Sequence, residues 1–508
     1  MEESKLSLIS FYYDMSNKSR SLLSDNEFED LDLNEFFSAV DFTSSCVGQQ
    51  YLYSILRHGG LSGIDKYETL INELTRNKIL RKKLVDILAK LKNTDAYNIA
   101  SLLSENIPNP SSHKLLLLSI CRFLPFLFAG ITLLTHGLVW LILFIITFIF
   151  NLILHYASKK NIYQYYFSIP QLVRLLKQMD SLVKERQILF INEEIVQTLD
   201  ELKILRKRLK VFNMGIRLES DLAILAYLIS ELRSIFFLTE AYTINKALCL
   251  LNGKRKKISD IFCFWGILDT LCSISFLREQ LPYYCLPSEV IKGERLHAVE
   301  VYHPLIPNAV SNSIVVQTKS VLITGSNMSG KTSFIRTIGI NLLSGKVLHT
   351  CFARDFAISS KVNILSAIHL TDDLLGGKSY FLSEVDAIKR MIDSVSAASS
   401  LFLLDEPFKG TNTKERVAIS KAVLSALAKE NNIVFVSTHD IELSRLLESD
   451  YDLYHFTESV RDGRLTFDYK LKAGVTSERN AIKILEICHY PDEIIRDAYD
   501  IVDQLEYK

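Results

Sequence analysis

This chain lacks net charge: 58 Lys and Arg balance 58 Asp and Glu over 508 residues. No global electrostatic pull toward nucleic acid follows, so any phosphate contact must come from local clusters. Its eight cysteines include no C-x-x-C pair and stand in apolar contexts such as Cys249 and Cys272. That spacing argues against a zinc site or disulfide framework and for reduced, structural thiols in a cytosolic setting. The first thirty residues have neither a basic start nor an apolar core before a small-residue cleavage site, so no signal peptide is expected. Low-complexity stretches and short repeats are also missing. What remains is a chain long enough for roughly two to four units, with ample apolar material for a large core.

The most specific stretch is Val321 to Ile338, VLITGSNMSGKTSFIRTI. Gly325, Ser326, Asn327, Met328, Ser329, Gly330, Lys331 and Thr332 fill the pattern G-x-x-x-x-G-K-[ST], with Ser333 following. Glycines at both ends let the backbone curl so that its N–H groups face an anion, and a helix beginning near Lys331 adds its positive end. Lys331 is placed to reach the β- and γ-phosphates of ATP, and the Thr332 hydroxyl to hold Mg²⁺.

Upstream, residues 1–113 read as helical and polar on one face, and Pro108 and Pro110 end that pattern. Leu115 to Leu154 then carries Arg122 as its only formal charge. At ~1.5 Å per helical residue, that length suffices for two crossings of a ~30 Å hydrocarbon core. Two transmembrane helices are expected, at about 115–134 and 138–154, joined at Thr135-His136-Gly137. Lys114, Lys159 and Lys160 flank the pair and the turn has no Lys or Arg, which places both ends in the cytoplasm. The alternative is a helical hairpin buried in a soluble core. Residues 156–295 return to amphipathic helix, with segments at 168–190, 194–212 and 217–250. Two basic clusters lie there: Lys203, Arg206, Lys207, Arg208 and Lys210, then Lys254, Arg255, Lys256 and Lys257. Either suits phosphate backbone or anionic headgroups, and either suits an ordinary solvated helix face.

From about residue 296, short apolar strands alternate with helices, the texture of a parallel sheet. Val321–Thr324, Leu401–Leu404 and Ile433–Ser437 read as strands buried on both faces, with helices at 331–344, 384–398 and 415–430. Tyr454–Val460 and Arg464–Leu471 read as a hairpin across Asp462-Gly463, and Asp492–Leu505 as a closing helix. Leu401–Leu404 ends in Asp405-Glu406, where Asp405 can orient Mg²⁺ and Glu406 can polarise an attacking water. A third strand ends in Ser437-Thr438-His439, where the histidine can face the γ-phosphate.

The loop TGSNMSGKTS closely resembles that of the MutS mismatch-repair ATPases, an ABC-type branch of P-loop proteins. Further blocks agree in order: Asp372-Asp373-Leu374 with Gly377, Ser379, Phe381 and Glu384; LLDEPFKGTNT (Leu403–Thr413); STHDIEL (Ser437–Leu443); His303-Pro304 with Pro307-Asn308; and Tyr490–Glu506. Asp41–Leu56 and Gly266–Ser275 more loosely resemble the start and return of the family's helical core. The resemblance implies an α/β ABC-type P-loop ATPase domain at 296–508, preceded by an all-α core (1–113 and 156–295) interrupted by the transmembrane hairpin (114–155). It implies ATP and Mg²⁺, with Lys331, Glu406 and His439 catalytic and Thr332 and Asp405 on the metal. It also implies a homodimer in which Ser379 completes the partner's site. Pro407-Phe408-Lys409 departs from the family's usual Leu-Gly-Arg, Tyr380 stands where threonine is usual, and Leu305 takes the place of an adenine-stacking aromatic.

The family's mismatch readers insert an aromatic wedge in a Phe-x-Glu motif. Here the one such triplet is Phe456-Thr457-Glu458, inside the ATPase region, so no wedge is expected. Two functions follow. One is a membrane-tethered, dimeric ATPase moving a helical core around mismatched or branched DNA without sequence preference. The other is a membrane-associated mechanochemical ATPase acting on protein partners without DNA.

Overall fold

The computed structural model describes residues 3–16, 23–60, 63–104, 110–209, 235–326, 328–368, 380–395, 399–461, 464–475, 482, 485–486 and 489–506. The chain divides into two units. One comprises residues 1–18, 41–54 and 67–277, and the other 19–40, 55–66 and 278–508. The stretch 1–113, expected as one part of the helical core, is therefore shared between them.

The second unit is built on a six-stranded sheet. Its strands are β3 (Ser320–Thr324), β5 (Asn363–Ala367), β6 (Ser400–Asp405), β7 (Ile433–Ser437), β8 (Tyr451–His455) and β11 (Lys472–Ala473), in the order β11-β8-β3-β7-β6-β5. All pairings are parallel except β11 with β8. Every residue of β3 and β7 is buried, because helices cover both faces of a parallel sheet and leave no polar side for alternation. A smaller antiparallel sheet, β2-β1-β4, joins Asn312–Val316, Leu296–Val301 and Asp355–Ile358. The expected hairpin is present as β9 (Glu458–Arg461) with β10 (Arg464–Phe467). Its first strand is shorter than the apolar pattern suggests, since the chain breaks at Phe456-Thr457 and Tyr451–His455 belongs to the main sheet. The turn Asp462-Gly463 lies outside the described residues.

Helix Lys331–Leu348 crosses this sheet closely. A Cβ at Gly339 would lie 2.6 Å from Leu403 Cδ1 and 2.9 Å from Leu31 Cδ2, so any larger residue would have to push both leucine side chains aside. Leu31 follows helix Asp25–Asp30, which covers the β5 edge: Ser366 Oγ and Ile368 N donate to Asp30 Oδ2 at 2.6 and 3.0 Å. An edge strand covered this way cannot template pairing with another chain.

The first unit is helical. Asp269 lies fully buried on helix Arg255–Gln280 and accepts from Ser44 N (2.8 Å), Ser45 N (2.9 Å) and Ser45 Oγ (2.6 Å), thereby capping helix Cys46–His58. Trp265 Nε1 donates to the same Ser45 hydroxyl at 2.9 Å. Burial lifts the Asp269 carboxyl to about 7, against the pull of these donors.

The apolar stretch forms helices Ser112–Cys121 and Leu124–Thr135, a turn at His136-Gly137, and helix Leu138–Leu182. The first expected span is interrupted at Arg122-Phe123, where Pro125 opens the next helix. The second continues far beyond 154 as part of a 45-residue helix with Pro170 inside it. His113–Thr135 and Leu138–Ala157 are long and apolar enough to cross a membrane, and only 17% and 11% of their most apolar windows are buried. Arg255–Gln280 also meets the length and composition requirement, but 78% of its window is buried, which makes it a core helix of this unit.

Candidate active site

The C-terminal ends of β3, β6 and β7 bring the predicted catalytic side chains together. Gly325 has φ 137° and Gly330 φ 104°, values that glycine tolerates and side chains resist. Space is also short at Gly325, where a Cβ would meet the Phe456 carbonyl oxygen at 2.7 Å. Between the glycines, Ser329 is buried and donates from Oγ to Ser326 O at 2.7 Å, while Met328 is exposed. Asn327 lies outside the described residues. Ser333 stands in the first turn of the following helix, and its carbonyl accepts from Thr337 Oγ1 at 2.6 Å.

Lys331 is 1% exposed, and its Nζ donates to Gly325 O and Ser326 O at 2.8 Å each. Burial lowers its ammonium to about 8, although Glu406 and Asp405 hold it up. A buried cation whose bonds among the described residues include no carboxylate is poised for an anion, since phosphate oxygens would give it a charge partner in direct contact. Thr332 Oγ1 donates to Asp405 Oδ2 at 2.8 Å, and Ser437 Oγ donates to the other Asp405 oxygen. The Thr332 hydroxyl and Asp405 carboxylate thus form an adjacent pair of hard oxygen donors, which fits Mg²⁺.

Glu406 sits at φ 48°, directed out of its strand, with its N–H donating to Ser437 O at 3.0 Å. Its carboxylate meets His439 Nε2 at 2.5 Å and Lys409 Nζ at 2.9 Å. The His439 hydrogen bond, assisted by Lys409 and opposed by burial, pulls this carboxyl down to about 2. A carboxylate so acidic is a poor proton acceptor, so in this arrangement Glu406 can orient a water better than deprotonate it. With Nε2–H donating to Glu406, the 3.4 Å approach of His439 to Lys331 Nζ is a contact between two donors, held near the Glu406 charge. Lys409, which stands where the family's usual Leu-Gly-Arg has its arginine, keeps a cation beside the acidic pair.

Several contributors had no assigned role in the sequence reading. Arg416 grips Asp440 with two bonds, Nε to Oδ2 at 2.8 Å and Nη2 to Oδ1 at 2.6 Å, and so ties the helix after the acidic loop to the residue after His439. Nothing in their spacing joins positions 24 residues apart on different elements. Glu384, 2% exposed, accepts from Phe408 N at 2.6 Å, and Phe408 itself has φ 62°. Burial raises the Glu384 carboxyl above its usual value, and its Oε2 has no partner among the described residues. Ser326 Oγ donates to Glu458 at 2.5 Å, so the apparent wedge triplet Phe456-Thr457-Glu458 walls the phosphate loop. Tyr469 also borders the loop, its ring carbon 3.2 Å from where a Gly330 Cβ would be. His303 is buried and held neutral, its imidazole lowered to about 4 by burial and by Arg336, while Leu305 N donates to its Nδ1 at 3.3 Å. Asp372, Asp373, Gly377 and Ser379 lie outside the described residues.

The family profile described as MutS domain V matches residues 321–506. The chain is similar to proteins named DNA mismatch repair protein MutS. That from Thermotoga sp. (strain RQ2) is 30% identical over 271 residues, covering 51% of this chain and 33% of the relative. That from Thermotoga maritima is 30% identical over 245 residues, covering 47% and 31%. One from Thermus thermophilus is 29% identical over 209 residues, covering 41% and 26%. The matched region spans about a third or less of the length of these relatives.

Proposed function

Because this chain is a MutS-family protein, we propose that it binds ATP with Mg²⁺ at the Lys331 loop and hydrolyses it. One observation carries this reading: Lys331, Thr332, Asp405, Glu406 and His439 come from three strand ends far apart in sequence and converge, with Thr332 bonded to Asp405, His439 bonded to Glu406, and Lys331 Nζ 3.4 Å from His439. In the proposed mechanism Lys331 neutralises the β- and γ-phosphates, and the loop N–H groups and helix end fix their position. Mg²⁺, held through Thr332 and Asp405, would spread the phosphate charge. Glu406 orients the attacking water, and His439 moves with the γ-phosphate, exchanging its hold on Glu406 for a γ-phosphate oxygen while ADP is the leaving group. Ser379 completes the site of a second copy, making the functional state a homodimer. Lys331→Ala is expected to lower steady-state phosphate release at least about a hundredfold. Unchanged turnover in a folded Lys331→Ala protein would refute the assignment.

The work driven by this cycle is proposed to be movement of the helical unit on DNA, beside a membrane that holds residues 115–154 with both flanks on the cytoplasmic side. Supporting the DNA part, the second basic cluster borders the helix Ile195–Leu209 that carries the first, with Lys254 Nζ donating to the Glu201 carbonyl at 3.5 Å. Opposing it, part of their charge is taken up within the unit, by Arg206 with Asp180 and Lys203 with Asp200. Binding of homoduplex and mismatched DNA across a salt series decides between them. Affinity should fall steeply with salt, and no binding even at low salt would leave the protein-directed reading in its place.

A further inference from the structure

We propose that Cys285 and Cys351 are an oxidation site, a dithiol that closes into a reversible disulfide beside the end of the phosphate-loop helix. The two residues are direct antiparallel partners, with Cys285 N donating to Cys351 O at 3.0 Å and Cys351 N to Cys285 O at 2.9 Å. Partners that exchange both backbone bonds have Cα atoms about 5.5 Å apart, inside the ~4.4–6.8 Å window that a disulfide spans. Both are free thiols here, the Cys351 thiol near enough to favour the Cys285 thiolate, and Cys351 Sγ also donates to the Asn341 carbonyl at 3.7 Å, a contact that crosslinking would replace.

The pair is asymmetric in a way that suits exchange chemistry. Cys285 is partly exposed, and the nearby Cys351 thiol lowers its own thiol below the ordinary range. Cys351 is fully buried, and burial pushes its thiol up. An accessible sulfur that favours thiolate is the attacking group, and its shielded neighbour is the resolving one. The other described cysteines lack such a partner. Cys46 and Cys249 donate to backbone carbonyls at 3.3 Å, and Cys263 meets a tyrosine hydroxyl at 3.7 Å.

The reaction needs a small disulfide oxidant of the glutathione disulfide class. The Cys285 thiolate attacks one of its sulfurs, forming a mixed disulfide and expelling one glutathione thiolate. Cys351 gives up its proton and attacks the Cys285 sulfur, and the second glutathione leaves. Two protein thiols are oxidised, one glutathione disulfide is reduced to two thiols, and the two protons end on those thiols.

The surroundings fix what the bond would lock. Cys351 lies just beyond the end of helix Lys331–Leu348, and a Cβ on that helix at Gly345 would come 3.0 Å from its Sγ and 3.2 Å from Pro287 Cβ. Segment 285–288 continues alongside β4, with Ser288 N donating to Phe356 O at 3.1 Å and Ile358 N to Ser288 O at 3.0 Å. The crosslink would therefore tie that segment to the tail of the helix whose head is the phosphate loop.

The test is to incubate the full-length protein with glutathione disulfide, alkylate remaining thiols in denaturant, and digest without reduction for mass spectrometry. The expected product is a Cys285–Cys351 linked peptide pair, two hydrogen atoms lighter than its parts, reversed by dithiothreitol and absent from Cys285→Ser. In Cys351→Ser the reaction should halt at a glutathione adduct on Cys285. Recovery of wild-type Cys351 as the alkylated thiol, whether Cys285 carries glutathione or is alkylated too, would overturn the proposal. Cys285 is partly exposed, so its serine variant keeps the test decisive even if Cys351→Ser does not fold.

Discussion

The nucleotide loop and the apolar hairpin handle their side chains in opposite ways. In the loop, a lysine that would ordinarily seek water is 1% exposed and enclosed by carbonyls. In the hairpin, leucines that would ordinarily seek a core face outward, with Leu133 at 76%, Leu134 at 85% and Leu138 at 74% exposure. Burying an ammonium and exposing leucines are both costly in water. Under the proposed function each finds a partner that makes it favourable, an anion for the first and hydrocarbon for the second. The difference teaches what kind of partner that proposal gives each region: a small charged ligand that enters a preformed polar cage, and an extended apolar phase.

The largest expected effect breaks the hairpin's side of that comparison. Full-length protein should sediment with membranes without detergent, and Leu133→Lys, Leu134→Lys and Leu138→Lys together should shift most of it to the supernatant. Wild-type protein that stays in the supernatant would show the exposed leucines to serve another surface. A smaller effect sharpens the loop's side. Arg416→Ala removes the two-pronged hold on Asp440 and should slow ATP turnover about tenfold, roughly 1.4 kcal/mol of barrier, with nucleotide affinity little changed. An equal loss of affinity and turnover would mean that Arg416 supports the fold of the pocket and does not place His439.

How much of this was legible in the sequence differs between the same two regions. Lys331, Thr332, Asp405 and His439 were readable because a phosphate loop and strand-end acids are local patterns whose geometry follows from the backbone around them. Arg416 with Asp440 and Glu384 with Phe408 were not, since their pairing depends on how separate elements dock. The cysteines mislead for the same reason. A search for close spacing passes over Cys285 and Cys351, which only the β-bridge brings together. In the hairpin, composition revealed length and apolarity, but no periodicity in so uniform a stretch marks the break at Arg122-Phe123 or the continuation of the second helix to Leu182. In the helical unit the two loosely family-like stretches meet, Asp269 capping the helix that begins after Ser45. Gly48 shows why that spacing is strict, for a Cβ there would lie 2.1 Å from Asp269 Oδ2.

The central claim is that the cluster around Lys331 is a hydrolytic site with Glu406 as the residue that directs water. Glu406→Gln keeps the size and the capacity to hydrogen-bond while removing the charge that His439 and Lys409 now share. Phosphate release and bound nucleotide should be measured side by side in the wild type and this variant. Glu406→Gln is expected to retain ATP while releasing phosphate about a hundredfold more slowly, because without the charge shared with His439 and Lys409 the group that orients the water is no longer held in place. Wild-type turnover by Glu406→Gln, with ATP bound normally, would contradict it.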